Sequence, residues 1–334
     1  MPRPSARIET GSRSSDHIEL TTADLRLVVA PALGGRIVSL EDRRTGHDWL
    51  VADLSGTADA DMAGWGDEDA AFTGERAFGW DECLPTVASC ADPLDPGGPS
   101  LRDHGDGWGR SCEVSRLAAT AAVAAGLRLA WEVPGRYRFE RTVRLDGPTV
   151  RTDYRMTSLG PDMPFLWSMH PLLALEPGAR LVLGGVDRVA VTNATGFDLG
   201  SVDGTVDWPI AGLRDGRTTD LSRIAGVEAG TALKAFARAA SLDGPAIAIQ
   251  PDGAGLAIEW DRQAAPFLGV WIDAGGWPAG TGRHQVALEP TTAPHDDLAS
   301  AVTAGSAAWA RVDRDVTWWT TLRLVGADAG PIRP

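Results

Sequence analysis

Lysine is almost missing from this chain. Of 31 basic residues, Lys234 is the single lysine and all the others are arginines. Together with the Ala-rich stretch Ala118–Ala125, this reads as compositional bias without functional weight. Positive charge is scarce in any case, because 45 acidic side chains leave a net charge of −14. Phosphate-rich partners need a basic face, so neither nucleic acid nor an anionic membrane is expected as a partner. Cysteine is rare too: Cys83, Cys90 and Cys112 are odd in number and form no CxxC pair. That excludes a disulfide framework and the usual zinc-binding spacings. No apolar run approaches the roughly 18 residues that a membrane span needs. The stretch from Met1 to Asp16 is rich in Arg and Ser and lacks the apolar centre of a secretory signal, so a cytoplasmic location is expected. Repeats and long linkers are lacking as well. One domain is expected over residues 1–334, with an ordered core from about residue 15 to about 327. Nothing in the sequence speaks to oligomeric state.

The pattern that is present has a period of two. In Tyr137–Leu145, apolar Tyr137, Phe139, Val143 and Leu145 share one parity, while Arg138, Glu140, Thr142 and Arg144 take the other. Such alternation marks a strand with one buried face. The turn Asp146-Gly147-Pro148 and a second alternating run, Val150–Met156, complete an antiparallel hairpin. Further strands are expected at Leu25–Pro31, Arg36–Glu41, Leu127–Val133, Arg180–Leu183, Arg188–Thr192, Ala246–Gln250, Leu256–Trp260, Phe267–Ile272, Gln285–Glu289 and Thr317–Val325. Only His295–Ala304 reads as a helix of any length. Ala52–Thr73 and Ser201–Gly230 read as surface insertions. Many short strands, frequent Gly and Pro and almost no helix imply an all-β fold, a large antiparallel β-sandwich.

Thirteen tryptophans stand against two tyrosines. Most are expected in the core, but Trp80, Trp108, Trp167, Trp271 and Trp277 sit in or beside Gly-, Pro- and Asp-rich turns, where they are candidates to wall a ligand site. Three separated segments each present one proton-transfer residue. Glu289 ends a strand-like run immediately before Pro290, which cannot donate to a sheet ladder, so its carboxylate is expected at a sheet margin. An ordinary solvated glutamate is the plainer alternative. However, the run from Phe267 to Pro278 places Trp271 and Trp277 around an Asp273 turn, and a carboxylate beside apolar rings is raised towards neutrality and can act as a base. His170 follows an apolar run and precedes Pro171; alone it reads more readily as a core histidine than as a catalyst. His104 lies in the loop Asp103-His104-Gly105-Asp106-Gly107-Trp108-Gly109-Arg110, which a simple surface turn also explains. His104 with Asp103 or Asp106 suggests a metal site only weakly, because no second histidine is clustered with it, and no metal is expected. The run Gly79–Thr86 adds Asp81 and Glu82, either as acceptors for sugar hydroxyls or as a rim of the sandwich.

Taken in order, these segments resemble the aldose 1-epimerase (galactose mutarotase-like) superfamily, over roughly Ile18 to Leu324. Leu27–Ile37 looks like the family's opening hairpin, His104-Gly105 like its first histidine loop, and His170-Pro171-Leu172-Leu173 like its second. Glu289-Pro290-Thr291-Thr292 is similar to its late glutamate segment and is the most specific of the matches. The resemblance implies the large twisted sandwich called the galactose mutarotase-like supersandwich. It also implies interconversion of the α and β anomers of an aldose, without metal or organic cofactor. In that scheme Glu289 takes the proton of the C1 hydroxyl, His170 protonates the ring oxygen, and His104 hydrogen-bonds to the same oxygens. Substrate contacts are expected from Trp80, Asp81, Glu82, Trp108, Arg110, Trp167, Trp271 and Trp277. The early Asn-Arg segment of the galactose enzymes has no copy here. A His-Gly loop followed by Arg110 looks more like divergent branches, including those related to hexose-6-phosphate epimerases. With no basic cluster, a neutral small-molecule sugar is favoured. Two alternatives stay open: a carbohydrate-binding protein without turnover, and another carbohydrate enzyme, such as a hexose-6-phosphate epimerase, lyase or hydrolase, on the same fold.

Overall fold

The computed structural model describes residues 7–10, 17–53, 71–72, 74–119, 126–200, 204–312 and 314–326. The expected acidic insertion at 52–73 falls almost wholly outside these residues.

Two large sheets, with two small two-stranded ones, make up the described residues, and every strand pairing within the large sheets is antiparallel. The eight-stranded sheet runs in spatial order Arg180–Leu183, Ala246–Ile249, Gly255–Trp260, Val316–Val325, Thr149–Ser158, Tyr137–Asp146, Gly126–Val133 and Glu113–Leu117. Its strands alternate cleanly because one face packs inward and the other meets water: Val150, Thr152, Tyr154 and Met156 are buried, while Arg151, Asp153 and Arg155 face out. The twelve-stranded sheet runs Arg7–Thr10, Ile18–Thr21, Leu25–Ala30, Arg36–Asp42, Trp80–Cys83, Ser168–Pro171, His284–Thr291, Phe267–Ala274, Thr231–Arg238, Arg188–Asn193 and Thr205–Asp207, with His47–Asp48 hung on Arg36–Asp42. Its middle strands are buried on both faces. Trp80–Cys83 and Ser168–Pro171 contain no exposed position at all. The inward face packs against the other sheet; over the outer face lie the loop carrying His104, whose ring meets His170, and Asp296, which reaches Lys234.

Between the sheets lies one aromatic core. Tyr154 stacks on Trp318 at 5.4 Å, Trp167 meets both rings, and Trp131, Tyr137 and Phe139 continue the cluster. Edge-to-face and offset contacts of this kind add roughly 0.5–1.5 kcal/mol each beyond simple burial.

The expected strands are present, most with ends shifted by one or two residues. Thr231–Arg238, Trp80–Cys83, Ser168–Pro171, Ile18–Thr21 and Glu113–Leu117 are additional. Ser201–Gly230 is not irregular throughout, because Ile210–Gly212 and Thr218–Asp220 pair within it. The helix is shorter than expected, Leu298–Thr303, and is capped by Asp297, whose side chain accepts from the Ser300 N–H. The strand holding Glu289 does not stop before Pro290 but continues to Thr291, with Pro290 opposite Leu268. Proline is tolerated there because the neighbouring ladder to Ser168–Pro171 consists only of the Ser168–Thr291 pairing. Glu289 therefore sits inside the sheet and not at its margin. Among the described residues, no helix is long and apolar enough to cross a membrane.

The loop carrying His104 is seated by a close backbone approach. Gly34, at φ +70, donates its N–H to the Arg110 carbonyl at 2.6 Å, and a Cβ there would overlap the Gly107 carbonyl. Gly34→Ala is expected to cost about 1–3 kcal/mol of stability, from the left-handed backbone and the clash together, as read by chemical denaturation.

Candidate active site

Alternation along the middle strands sends Trp80, Glu82, Trp167, Met169 and Leu288 into the inter-sheet core. The opposite parity, Asp81, Cys83, Ser168, His170, Lys234 and Glu289, goes to the outer face. The Trp80–Cys83, Ser168–Pro171 and His284–Thr291 strands lie side by side, while Phe267–Ala274 separates the last from Thr231–Arg238. Glycine at Gly269, directly opposite Glu289, leaves that carboxylate the room to lean towards Lys234: a Cβ at Gly269 would come within 3.4 Å of Glu289 Oε2.

Over this face lies a cavity of about 410 Å³, lined by His104, His170, Lys234, Glu289, Asp296 and Trp271 among others. That volume suits one small ligand. The sequence's three proton-transfer residues thus converge, with the His104 and His170 ring centroids 4.9 Å apart. A larger hollow of about 530 Å³ lies on the outer face of the eight-stranded sheet. Its lining carboxylates Glu140 and Asp153 are committed to ion pairs with Arg128 and Arg151.

Each catalytic candidate is held by a partner. Glu289 is 1 % exposed; its Oε2 accepts from Lys234 Nζ at 2.7 Å and from Ser168 Oγ at 3.3 Å, while its Oε1 is buried with no partner. Burial works to raise this carboxyl, but Lys234 and then His170 outweigh it and hold the group below its ordinary value, so it is ionised at neutral pH. This reverses the expectation that apolar rings raise it. Lys234 is itself held above its usual range: burial opposes the charge, but Glu289 and Asp296, the latter at 3.5 Å, overcome that penalty. His170 Nδ1 lies 2.8 Å from Asp81 Oδ1, and Asp81 Oδ2 accepts from Arg36 at 2.9 Å. Burial would lower His170, but the Asp81 carboxylate prevails and the imidazole is raised above its ordinary value. Burial likewise works against the Asp81 charge, and Arg36 and His170 hold that carboxyl well below the usual range. An imidazole whose protonated form is favoured and an ionised carboxylate thus face one cavity. His104 occupies left-handed backbone at φ 58, alone among the described non-glycine residues. Such strain, about 1–3 kcal/mol, persists only where surroundings enforce it. Here the His104 N–H donates to the Val87 carbonyl, Nδ1 lies 3.1 Å from Asp103, and the ring stacks on Phe72 at 3.8 Å.

Several expected substrate contacts are corrected. Trp271 and the half-exposed Trp277 line the cavity, but Trp80, Trp167 and Glu82 do not. Strand parity turns those three into the core, where both indole N–H groups and the Tyr154 hydroxyl donate to Glu82 and Arg141 stands 3.5 Å away. Asp81 lies beneath His170 and orients it. Trp108 is buried behind the loop, donating to the Asp103 carbonyl. Arg110 reaches back to the Glu132 carbonyl, because its loop turns away from the cavity. Lys234, Asp296 and Ser168 were not singled out in the sequence. The signal for Lys234 was available: a lone lysine inside an apolar run, Ala232-Leu233-Lys234-Ala235-Phe236, in a chain that otherwise uses arginine.

Two outcomes follow. Lys234→Met leaves a carboxylate buried without its counter-charge, so a loss of about 3–5 kcal/mol is expected in chemical denaturation. Much of that loss should return in the double variant Lys234→Met/Glu289→Gln. Separately, burial pushes Glu82 up to about 7 from its ordinary 4.5, against the pull of Arg141. The folded chain then binds this proton more tightly than the unfolded one. The contribution to stability is full below 4.5 and is lost as pH rises through about 7. Denaturation midpoints of Glu82→Gln, compared with the native sequence across that window, should lack this component of the slope.

No family model matches the sequence, and no curated protein matches it. Solved structures do. A galactose mutarotase-like protein from Clostridium acetobutylicum superposes with a TM-score of 0.66 at 12% identity, covering 96% of this chain and 99% of that one. The Slr1438 protein from Synechocystis sp. PCC 6803 gives 0.64 at 18% identity, with 97% of each chain covered. The galactose 1-epimerase from Lactobacillus acidophilus NCFM gives 0.60 at 11%, covering 97% of this chain and 99% of that one. Identities this low speak to fold alone, and the fold is a β-sandwich of the galactose mutarotase-like kind.

Proposed function

We propose that this protein is an aldose 1-epimerase, a mutarotase that interconverts the α and β anomers of a free sugar or close derivative. The observation that carries the reading is the opposed pair in one cavity: an ionised Glu289 whose Oε1 has no protein partner, and a His170 whose protonated form is favoured by Asp81 at 2.8 Å. Ring opening needs a proton removed from the C1 hydroxyl and another delivered to the ring oxygen. Glu289 Oε1 is the base. Its other oxygen is tied to Lys234 and Ser168, so only one lone-pair edge is offered to the substrate. His170 donates from Nε2, since Nδ1 is committed to Asp81. The C1–O bond to the ring breaks as the aldehyde forms, the C1–C2 bond rotates, and the same two groups return the protons in reverse. His104 hydrogen-bonds to the oxygens between which charge moves, and Trp271 and Trp277 offer faces to the sugar's C–H surface. The likeness in fold to a galactose 1-epimerase and to mutarotase-like proteins supports the reading.

The test is anomer exchange, followed by NMR or polarimetry over a panel of neutral, acidic and phosphorylated hexoses. At least one sugar should exchange faster than in buffer. For that sugar, Glu289→Gln and His170→Asn should each lower turnover by about 10²-fold or more, with smaller changes in sugar affinity. Exchange no faster than buffer for every sugar would sink the reading.

A further inference from the structure

His104 alone gave only a weak sign of metal binding, for want of a second clustered histidine. The fold supplies that histidine and a thiol besides. Cys83, His104 and His170 each bring one donor atom to within 4.8 Å of the others; the two histidines line the cavity and Cys83 is buried on the same face of the sheet. These residues are far apart in the chain and come from three different places: Cys83 ends one strand, His170 sits in the next, and His104 lies on the loop folded over both.

We propose that Cys83, His104 and His170 form a binding site for a soft divalent transition ion of the zinc class, whose occupation shuts the cavity to sugar. Three features go beyond simple clustering. One thiolate and two imidazoles are a donor set typical of that class of ion, leaving a fourth position open to the cavity. Each imidazole has a carboxylate at Nδ1, Asp81 on His170 at 2.8 Å and Asp103 on His104 at 3.1 Å. With both Nδ1 atoms engaged, Nε2 is the donor left on each ring, the arrangement that orients histidines on metals. Finally, the spacing needs little adjustment. An ion with bonds of about 2.0–2.3 Å keeps tetrahedral ligands roughly 3.3–3.6 Å apart, so the widest gap closes by about 1 Å. His104, part-exposed on its loop, can supply that movement, while Cys83 and His170 are locked in strands.

Binding breaks the S–H bond of Cys83 and forms a sulfur–metal bond. That proton, and the one on His170 where present, pass to solvent, and no oxidation state changes. The ion then occupies the His170 Nε2 that the proposed reaction needs. The inhibition depends on the mutarotase reading; the binding itself does not.

Co²⁺ is the probe, added without sugar to the full chain under reducing conditions. One equivalent is expected to bind and to produce the near-ultraviolet thiolate-to-cobalt charge-transfer band, displaceable by Zn²⁺. Cys83→Ser should abolish that band. Asp103→Asn, a half-exposed position that does not threaten folding, should weaken Co²⁺ binding about 10–100-fold. Where exchange of a sugar has been found, Zn²⁺ should inhibit it competitively. No binding, binding without the band, or a band that survives Cys83→Ser would each overturn the proposal. Absence of sugar exchange with the band present would reject only the mutarotase reading.

Discussion

A carboxylate that is 1 % exposed survives in this protein because the chain's one lysine reaches it at 2.7 Å. Removing two charges from water costs several kcal/mol per ion, and only close pairing with further hydrogen bonds returns it. Everything around Glu289 follows from that constraint. Lys234 and Ser168 satisfy one oxygen, Asp296 steadies the lysine, and the second oxygen is left without a protein partner beside the cavity. The same logic governs its neighbour, where Arg36 makes an ionised Asp81 tolerable and Asp81 in turn favours the protonated form of His170.

The two arrangements have opposite signs, and together they define what the cavity can do. Each candidate shares a site with a group that stabilises its charged form, so acid and base are both ready near neutral pH. A third buried pair of titratable groups, Glu82 with Arg141, lies on the other side of the same sheet. It serves the aromatic core and not the cavity, ordering Trp80, Trp167 and Tyr154 by accepting their hydrogen bonds. Adjacent residues Asp81 and Glu82 thus do unrelated work because a strand turns consecutive side chains to opposite faces.

What was legible in the sequence divides along the same line. The strands of the eight-stranded sheet announce themselves, since one face is wet and the alternation of Tyr137–Leu145 survives intact. The strands that build the site do not. Trp80–Cys83 and Ser168–Pro171 are buried on both faces, and Thr231–Arg238 is buried at six of its eight positions, so their polar residues break no apolar rhythm that a reader would trust. His104, His170 and Glu289 were found because each is flanked by turn residues or proline. Lys234 carries no such local cue, because Thr231–Arg238 is buried on both faces without alternation and a single lysine is also what compositional bias produces. The tryptophans misled for a related reason: adjacency to a turn says nothing about which face of the sheet an indole takes.

By itself the sequence determined the class of fold, the sandwich of antiparallel strands, and three of the groups capable of moving protons. These are local matters: period-two patterning, turn chemistry and side-chain pKa ranges all act over a few residues. Tertiary structure alone decided that the three share one cavity, that Trp271 and Trp277 line it while Trp80 and Trp167 do not, and that Lys234 holds Glu289 ionised. Those outcomes depend on strand order and on parity across strands distant in the chain. Charge is felt through space, and Glu289 lies 55 residues from the lysine that sets its state.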